Sequence, residues 1–447
     1  MPLSLVLCIF AFGLCFWLGR QSLLKGLVAV IGVGYAYGIV RANIPETYSH
    51  FIFDAGAVGL YASQISYRLT SSERYRLEKL KPWLELLIIW PLLVFFLPIQ
   101  NWLIQFVGLR GSIFLLPFAL FGARLDGDGR YRLAGWLAAF NIVVFALGSV
   151  EYFTGIESFF PHNQMTELIY QTKDLVGHTA YRIPASFANA HAFGGTMVVS
   201  LPLLAGAMVQ KRQRGFQFLL LMLGIAAALL GILMSAARTH FIAAAALTIV
   251  TTFSLRSRVG HIFGWLILII VIGWTVSGEE RLQRFLELRD TDAVVERISS
   301  SVNMGFFEIA AKYPFGNGLG GGGTSIPYFL QDEIRNPVTM ENEYARIMLE
   351  QGVVGLVFWV AFVIWLLTHG GKAPNDSWNL GRRLAKVTCV VFFISGLTGT
   401  GLLTSIPQTS IFLLLVGWVG SRQPATQLNE AALEPITSKV APRALPA

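Results

Sequence analysis

Three arginines and two carboxylates hold most of the chain's chemical promise. Arg238 lies in LMSAARTHF, Arg182 in YRIPASFANAHAF and Arg297 in VVERISSSV, while Glu341 and Glu343 lie in VTMENEYARI. A guanidinium forms bidentate bonds to phosphate and keeps its charge at any working pH. A carboxylate at the mouth of an apolar segment can have its pKa raised by burial and so be poised as a general base. Each also has a plainer reading. An arginine at a span end is often a snorkelling anchor, and acidic residues at a helix start suit the helix dipole. Arg238 stands out because it falls on the side of the membrane where the topology calls for no cation. Arg297 stands out less, since a loop helix also wants solvated charges. Arg281, Arg284, Arg289 and Arg335 read as such charges. Glu350, about two turns beyond Glu343, reads as a buried polar residue paired within a bundle.

Other signals exclude chemistry. GNGLGGGG contains a formal G-x-G-x-x-G at Gly316, Gly318 and Gly321, but no strand precedes it, so a dinucleotide site is excluded. It reads as a flexible hinge, with a backbone nest for phosphate as the lesser option. His191 and His240 stand near span starts without an H-E-x-x-H or a His/Cys cluster, so neither metal nor cofactor is expected. No G-x-S-x-G elbow is present to anchor a hydrolytic triad.

The scaffold that positions these residues is apolar. Of 447 residues 54% are hydrophobic and only 13% charged, about half the charged fraction of a soluble domain. An all-α polytopic membrane protein follows, with a single membrane domain over 1–420. Spans are expected at 2–19, 24–40, 49–67, 82–99, 104–123, 133–153, 188–208, 216–236, 240–255, 259–277, 347–368, 384–404 and 408–420, thirteen in all, with 12 or 14 as neighbouring counts. Lys and Arg cluster in the short loops 68–81, 124–132, 210–214 and 256–258, and around Lys372, Arg382 and Arg383. Placing these in the cytoplasm is self-consistent, and it accounts for the net charge of +8 without nucleic acid. The loops 154–187 and 278–346 then lie outside, the latter between the tenth and eleventh spans. In it Ile298, Val302, Phe306 and Ile309 mark an amphipathic helix, ended by Pro314 and Gly316, and the loop reads as the lid of a site. Residues 421–447 read as a disordered cytoplasmic tail. Cys8, Cys15 and Cys389 fall in spans and read as small apolar packers.

Four segments together resemble the O-antigen ligase and polysaccharide polymerase superfamily of bacterial membrane glycosyltransferases. YRIPASFANAHAFGGTMVVSLPLL resembles the family's segment with an Asn, here Asn189, before a long span; MSAARTHFIAAAALTIV resembles its Ser/Arg span junction. RISSSVNMGFFEIAAKYPFGNGLG resembles its Arg, helix, Pro and Gly-x-Gly-x-Gly core, and ENEYARIMLEQGVVGLVFWV its block H-N-x-x-L-x-x-L-x-E-x-G-x-x-G. The likeness covers about 180–368. One departure matters: where ligases carry His before the Asn, this chain has Glu341 before Asn342. The resemblance implies an inner-membrane enzyme with an undecaprenyl-diphosphate-linked oligosaccharide donor, a glycan acceptor and a periplasmic site. It implies Arg238 and Arg297 as diphosphate clamps, with Arg182, Asn189, Asn342 and Glu343 around the substrate. Glu341 is the implied base, with Glu343 the near alternative. Export or chain-length proteins are the implied partners. The departure favours polymerisation of repeat units over ligase-type transfer to a lipid or protein acceptor. A transporter would make use of Asp54, Glu85 and Glu350, but no repeated pair of broken spans accompanies them.

Overall fold

Every regular element among the described residues is helical. The computed structural model describes residues 1–171, 181–210, 215–254, 306–323, 326–338, 342–369 and 377–422. The expected tenth span, the Ile298 and Val302 part of the loop helix, and the tail beyond 422 lie outside the described residues.

The first helix shows how the sequence builds the bundle. In α1 (Leu3–Gln21) the buried residues are Ser4, Cys8, Ala11, Cys15 and Gly19, a stripe of small side chains at three- and four-residue spacing. The stripe lets the backbone approach α3 (Ile52–Gln64), while Ile9, Phe10 and Trp17 face outward. All three cysteines are free and buried, as small packers should be. α2 (Leu23–Asn43) begins one residue after α1, and the Ser22 side chain caps it by accepting from the Lys25 N–H.

The third expected span is shorter than its apolar run. A 3-10 turn (Thr47–Phe51) leads into α3, which has 13 residues. Its carboxylate is not left bare, because Arg110 grips both oxygens of Asp54 at 2.6 and 2.8 Å. The short α4 (Ser71–Leu77) and α5 (Lys81–Phe95) follow. The expected fifth span divides before Pro117 into α6 (Trp102–Ile113) and α7 (Pro117–Arg124). Next come α8 (Gly127–Thr154), the short α9 (Glu167–Gln171), α10 (Ala190–Met208), α11 (Gly215–Met234) and α12 (Arg238–Ser254). Then come α13 (Phe306–Lys312), a 3-10 turn (Tyr328–Glu333), α14 (Glu343–His369), α15 (Asn379–Ser395) and α16 (Gln408–Gly420).

Among the described residues seven helical stretches are long and apolar enough to cross a membrane: 3–21, 23–43, 102–124, 127–154, 190–208, 215–234 and 343–369. The chain is a multi-pass membrane protein. α10 is its axis. In the apolar window of α10 83% of residues are buried, against 28% in α1, and α10 packs on α8, α11, α15 and α16. The expected twelfth span needs correction. Helix α15 stops at Ser395, because Gly396, Gly399 and Gly401 interrupt the apolar run, and Gly401 takes a φ of 104°.

Among the described residues, the basic residues Arg124, Arg382 and Arg422 are tied into the ends of neighbouring helices. Arg124 bonds Glu73, Arg422 bonds Glu78, and Arg382 donates to the carbonyls of Val419 and Ser421. Burial alone would raise the pKa of Glu73, but the Thr70 N–H and hydroxyl and the Arg124 guanidinium hold it below the ordinary value. α7 and α16 touch backbone to backbone nearby, where a Cβ on Gly417 would lie 1.8 Å from the Ala119 carbonyl oxygen. Gly417→Val is therefore expected to cost at least about 1–3 kcal/mol through overpacking. Size-exclusion profiles and melting curves of the detergent-solubilised variant should show reduced folded protein, and an unchanged melting curve would count against this helix contact.

Candidate functional site

The start of α14 is built around three charged residues on one face. Glu343, Arg346 and Glu350 stand three and four residues apart and are all fully buried. Arg346 donates to Glu343 Oε1 through Nε (3.1 Å) and Nη2 (2.5 Å), and to Glu350 Oε2 through Nη1 (2.9 Å). Asn342 supplies the N-cap, accepting from the N–H groups of Tyr344 (2.9 Å) and Ala345 (3.2 Å). Glu343 also reaches a second segment. Its N–H donates to the Gly396 carbonyl at 2.8 Å, and its Oε2 accepts from the Gly401 N–H at 3.0 Å. One residue thus fastens both ends of the 396–401 turn. Tyr344 adds a bond from its hydroxyl to the Phe393 carbonyl at 2.8 Å.

Helix α14 is broken at Gly352, which has a φ of 74°. The break frees backbone groups that a membrane interior cannot solvate, so each needs a partner. The Leu349 carbonyl accepts from the Asn317 N–H, the Gln351 carbonyl from the Trp90 indole, and the Val353 N–H donates to the Pro314 carbonyl. The glycine-rich segment is what docks there. Gly316, Gly318 and Gly320 hold φ values of 90°, 82° and 80°, and a Cβ on Gly316 would sit 2.9 Å from the Gly352 nitrogen. Asn317 donates to the carbonyls of Arg335 and Asn336, and Gln100 donates to the Asn317 carbonyl. The segment expected as a flexible hinge is a tightly packed coil. Helix α13 lies beside it, with Ile309 against Ala345, Met348 and Leu349.

The segment before α10 is pinned in the same manner. Ala185, at a φ of 50°, donates its N–H to the buried Glu151 of α8 at 2.9 Å. Ser186 bonds the Tyr35 carbonyl, and its own carbonyl accepts from the Ile39 N–H. Asn189 caps α10, its side chain accepting from the Ala192 N–H at 2.8 Å. Two residues on, His191 meets His240 of α12, with ring centroids 4.3 Å apart.

These helix ends line a pocket of about 70 Å³. His191, Thr239 and His240 form one wall, Phe392 and Ser395 a second, and the turn from Gly396 to Leu402 with Ser405 and Gln408 the third. Arg238 is half-buried at the first position of α12, directly before two lining residues. Asn189 and Asn342 are the caps of the helices that carry His191 and Glu343. Arg182 is half-buried at the start of the pinned segment. Glu343 is fully buried beneath the pocket turn. Arg297 and Glu341 lie outside the described residues.

The sequence reading missed Arg346, the 396–401 turn, and Gln408. Signals for the first two were present: E-x-x-R-x-x-x-E spacing from Glu343 to Glu350, and the run G-L-T-G-T-G before Pro407. Asp54, Glu85 and Glu350, the carboxylates of a transporter reading, each have a cation partner: Arg110, Lys81 and Arg346. No protein-family model matches the sequence, and no curated protein is found to be similar to it.

Arg346→Leu would leave two carboxylates buried side by side without their cation. The expected cost is about 3–5 kcal/mol, enough to remove most folded protein from a detergent extract. A variant that elutes and melts like the wild type would show that the two carboxylates do not depend on Arg346.

Proposed function

We propose that this protein is a membrane glycosyltransferase that joins lipid-diphosphate-linked saccharide units into a longer glycan. One observation carries the reading. The start of α10, the start of α12, the glycine-rich coil and the start of α14 are distant in sequence, yet they converge around one pocket or the network beneath it. They are also the four segments that resemble the O-antigen ligase and polysaccharide polymerase superfamily. Coincidence of independent segments at one place is what a site requires and what a transport path along the bundle does not.

The chemistry assigned to the residues is a direct displacement. An acceptor hydroxyl oxygen attacks the anomeric carbon of the donor sugar. The bond from that carbon to the lipid diphosphate breaks, and the diphosphate leaves with the electron pair. The hydroxyl proton passes to a carboxylate, for which Glu341 is the assigned base. A single displacement inverts the anomeric carbon. Negative charge grows on the diphosphate as it leaves, and Arg238 and Arg297 are assigned to stabilise it. Glu343 has both oxygens engaged, by Arg346 and by Gly401, so in this scheme it shapes the site and takes no proton. Asn189 and Asn342 serve as the caps that fix the starts of α10 and α14. The basic loops face the cytoplasm and the pocket faces the opposite side, as the positive-inside rule requires.

Glycan gels from cells lacking the protein test this reading. Complementation with wild type is expected to give a ladder of repeats. The null, Arg238→Ala and Glu341→Gln should give only single lipid-linked units, although both variants insert at normal levels. Long lipid-linked chains in the null, with only their transfer to an acceptor lost, would make the protein a ligase. Ladders in both variants would refute the assigned roles.

A further inference from the structure

Two aromatic side chains of the large loop are left bare: Phe307 is 81% exposed and Phe315 79%. Their setting is α13 and the coil that follows it. Phe306, Ile309, Ala310 and Tyr313 pack towards α14, in the cluster that holds Ala345, Met348 and Leu349. At 3.6 residues per turn, Phe307 and Ala311 fall about a third of a turn round from that face, and Glu308 and Lys312 about a third further. All four of these are exposed. The short helix thus has one face on protein, one that is apolar and bare, and one that is charged. A bare apolar face next to a charged one is the pattern of a helix lying in a membrane interface.

The bare face continues a surface that belongs to a membrane-crossing helix. After its break at Gly352, α14 exposes Val353, Val354, Val357, Val360 and Ile364, largely at three- and four-residue spacing. Phe315 stands where that stripe begins. A Cβ on Gly352 would fall 2.8 Å from the Phe315 carbonyl carbon, and the Val353 N–H bonds the Pro314 carbonyl at 3.0 Å. Leu356, one turn beyond the break, packs against the same cluster as Ile309. On α5, whose Trp90 indole bonds the Gln351 carbonyl, Leu93 and Phe96 are exposed as well. Phe315 therefore extends an apolar belt that two helices already carry.

We infer that the segment from Phe306 to Phe315 is seated in the bilayer surface, with Phe307 and Phe315 among the lipid chains and Glu308 and Lys312 turned to water. The occupant is lipid because the stripe that Phe315 extends lies on a helix that crosses the membrane, so lipid reaches its end without a further partner. Aromatic side chains suit that depth, where apolar chains give way to headgroups. The seat bears on the site. The coil after α13 closes the break in α14, where the Pro314 carbonyl takes the Val353 N–H and the Asn317 N–H takes the Leu349 carbonyl. The coil is thus held to the protein through its backbone and to the membrane through Phe307 and Phe315. Nothing in this seat depends on what the pocket transfers.

Spin labels on the full chain in phospholipid nanodiscs test the inference. Phe307→Cys, Phe315→Cys, Glu308→Cys and Lys312→Cys are labelled one at a time, with Val357→Cys as the lipid-facing reference. The native Cys8, Cys15 and Cys389 are buried, and labelled wild type gives the background. Power saturation compares collisions with oxygen, which concentrates among acyl chains, and with a nickel chelate, which stays in water. Oxygen is expected to dominate at Phe307→Cys and Phe315→Cys, as at Val357→Cys, and the balance to reverse at Glu308→Cys and Lys312→Cys. Dominance of nickel at 307 and 315 would overturn the seat. Shielding there from both reagents, the mark of a protein partner or a second copy, would overturn it too. Wild-type protein supplies a test that needs no substitution. Lipids with a photoreactive acyl chain should crosslink to the peptide carrying Phe307 and Phe315 as they do to the peptide carrying Val357. Crosslinks at Val357 alone would overturn the seat. Both tests read position in the membrane and give the same answer whether or not the protein joins saccharides.

Discussion

The buried Arg346, held between Glu343 and Glu350, is the constraint on which the rest of the site depends. Three ionisable side chains without solvent are expensive unless they are closely paired, and the pairing fixes how the start of α14 is held. That geometry is passed outward through Glu343, which binds Gly396 with its N–H and Gly401 with its second carboxylate oxygen. The floor of the pocket is therefore set by a charge network that does not face it. The same helix receives the glycine-rich coil at the Gly352 break, where Asn317 and Pro314 take over backbone bonds that the helix has given up. Two segments more than 70 residues apart, around Asn317 and around Gly401, are thus referred to one helix start.

The apolar elements were largely legible in the sequence. The expected thirteenth span coincides with α16, and the first, second, fifth, sixth, seventh, eighth and eleventh overlap helical stretches long enough to cross a membrane. Hydropathy reports length and burial, and for these segments the two agree. It failed where a glycine run was embedded in apolar residues. The stretch after Ser395 has leucines enough to extend a span, but its glycines turn the chain back, and that turn is the pocket floor. Asp54 weakened the third span without revealing Arg110, because a partner 56 residues away leaves no local trace. Glu343 and Glu350 looked like separate carboxylates until Arg346 was placed between them. Asn189 and Asn342, which the resemblance suggested as substrate ligands, have cap geometry that a sequence can suggest but only coordinates display.

On the proposed reading the site divides its labour by dielectric and charge. The pocket is bounded by helix ends and ring faces, and none of its lining residues is Asp, Glu, Lys or Arg. The diphosphate is met by guanidinium at the rim, where charge is wanted only as the leaving group departs. The lipid tail keeps to the apolar helix surfaces, several of which carry outward-facing Phe, Trp and Ile side chains. In such a scheme α10 is more than a central strut. Its capping Asn189 and its His191 make it the element on which both the pocket and the approach to Arg238 are mounted.

The most direct measurement is reconstitution. Purified protein in liposomes would be given lipid-linked saccharides extracted from cells that lack it, with a chelator present, and the products followed by mass spectrometry. The account predicts masses that rise by whole saccharide units, with one free lipid diphosphate released per unit joined. Donor left unchanged by protein that is folded and inserted would contradict it.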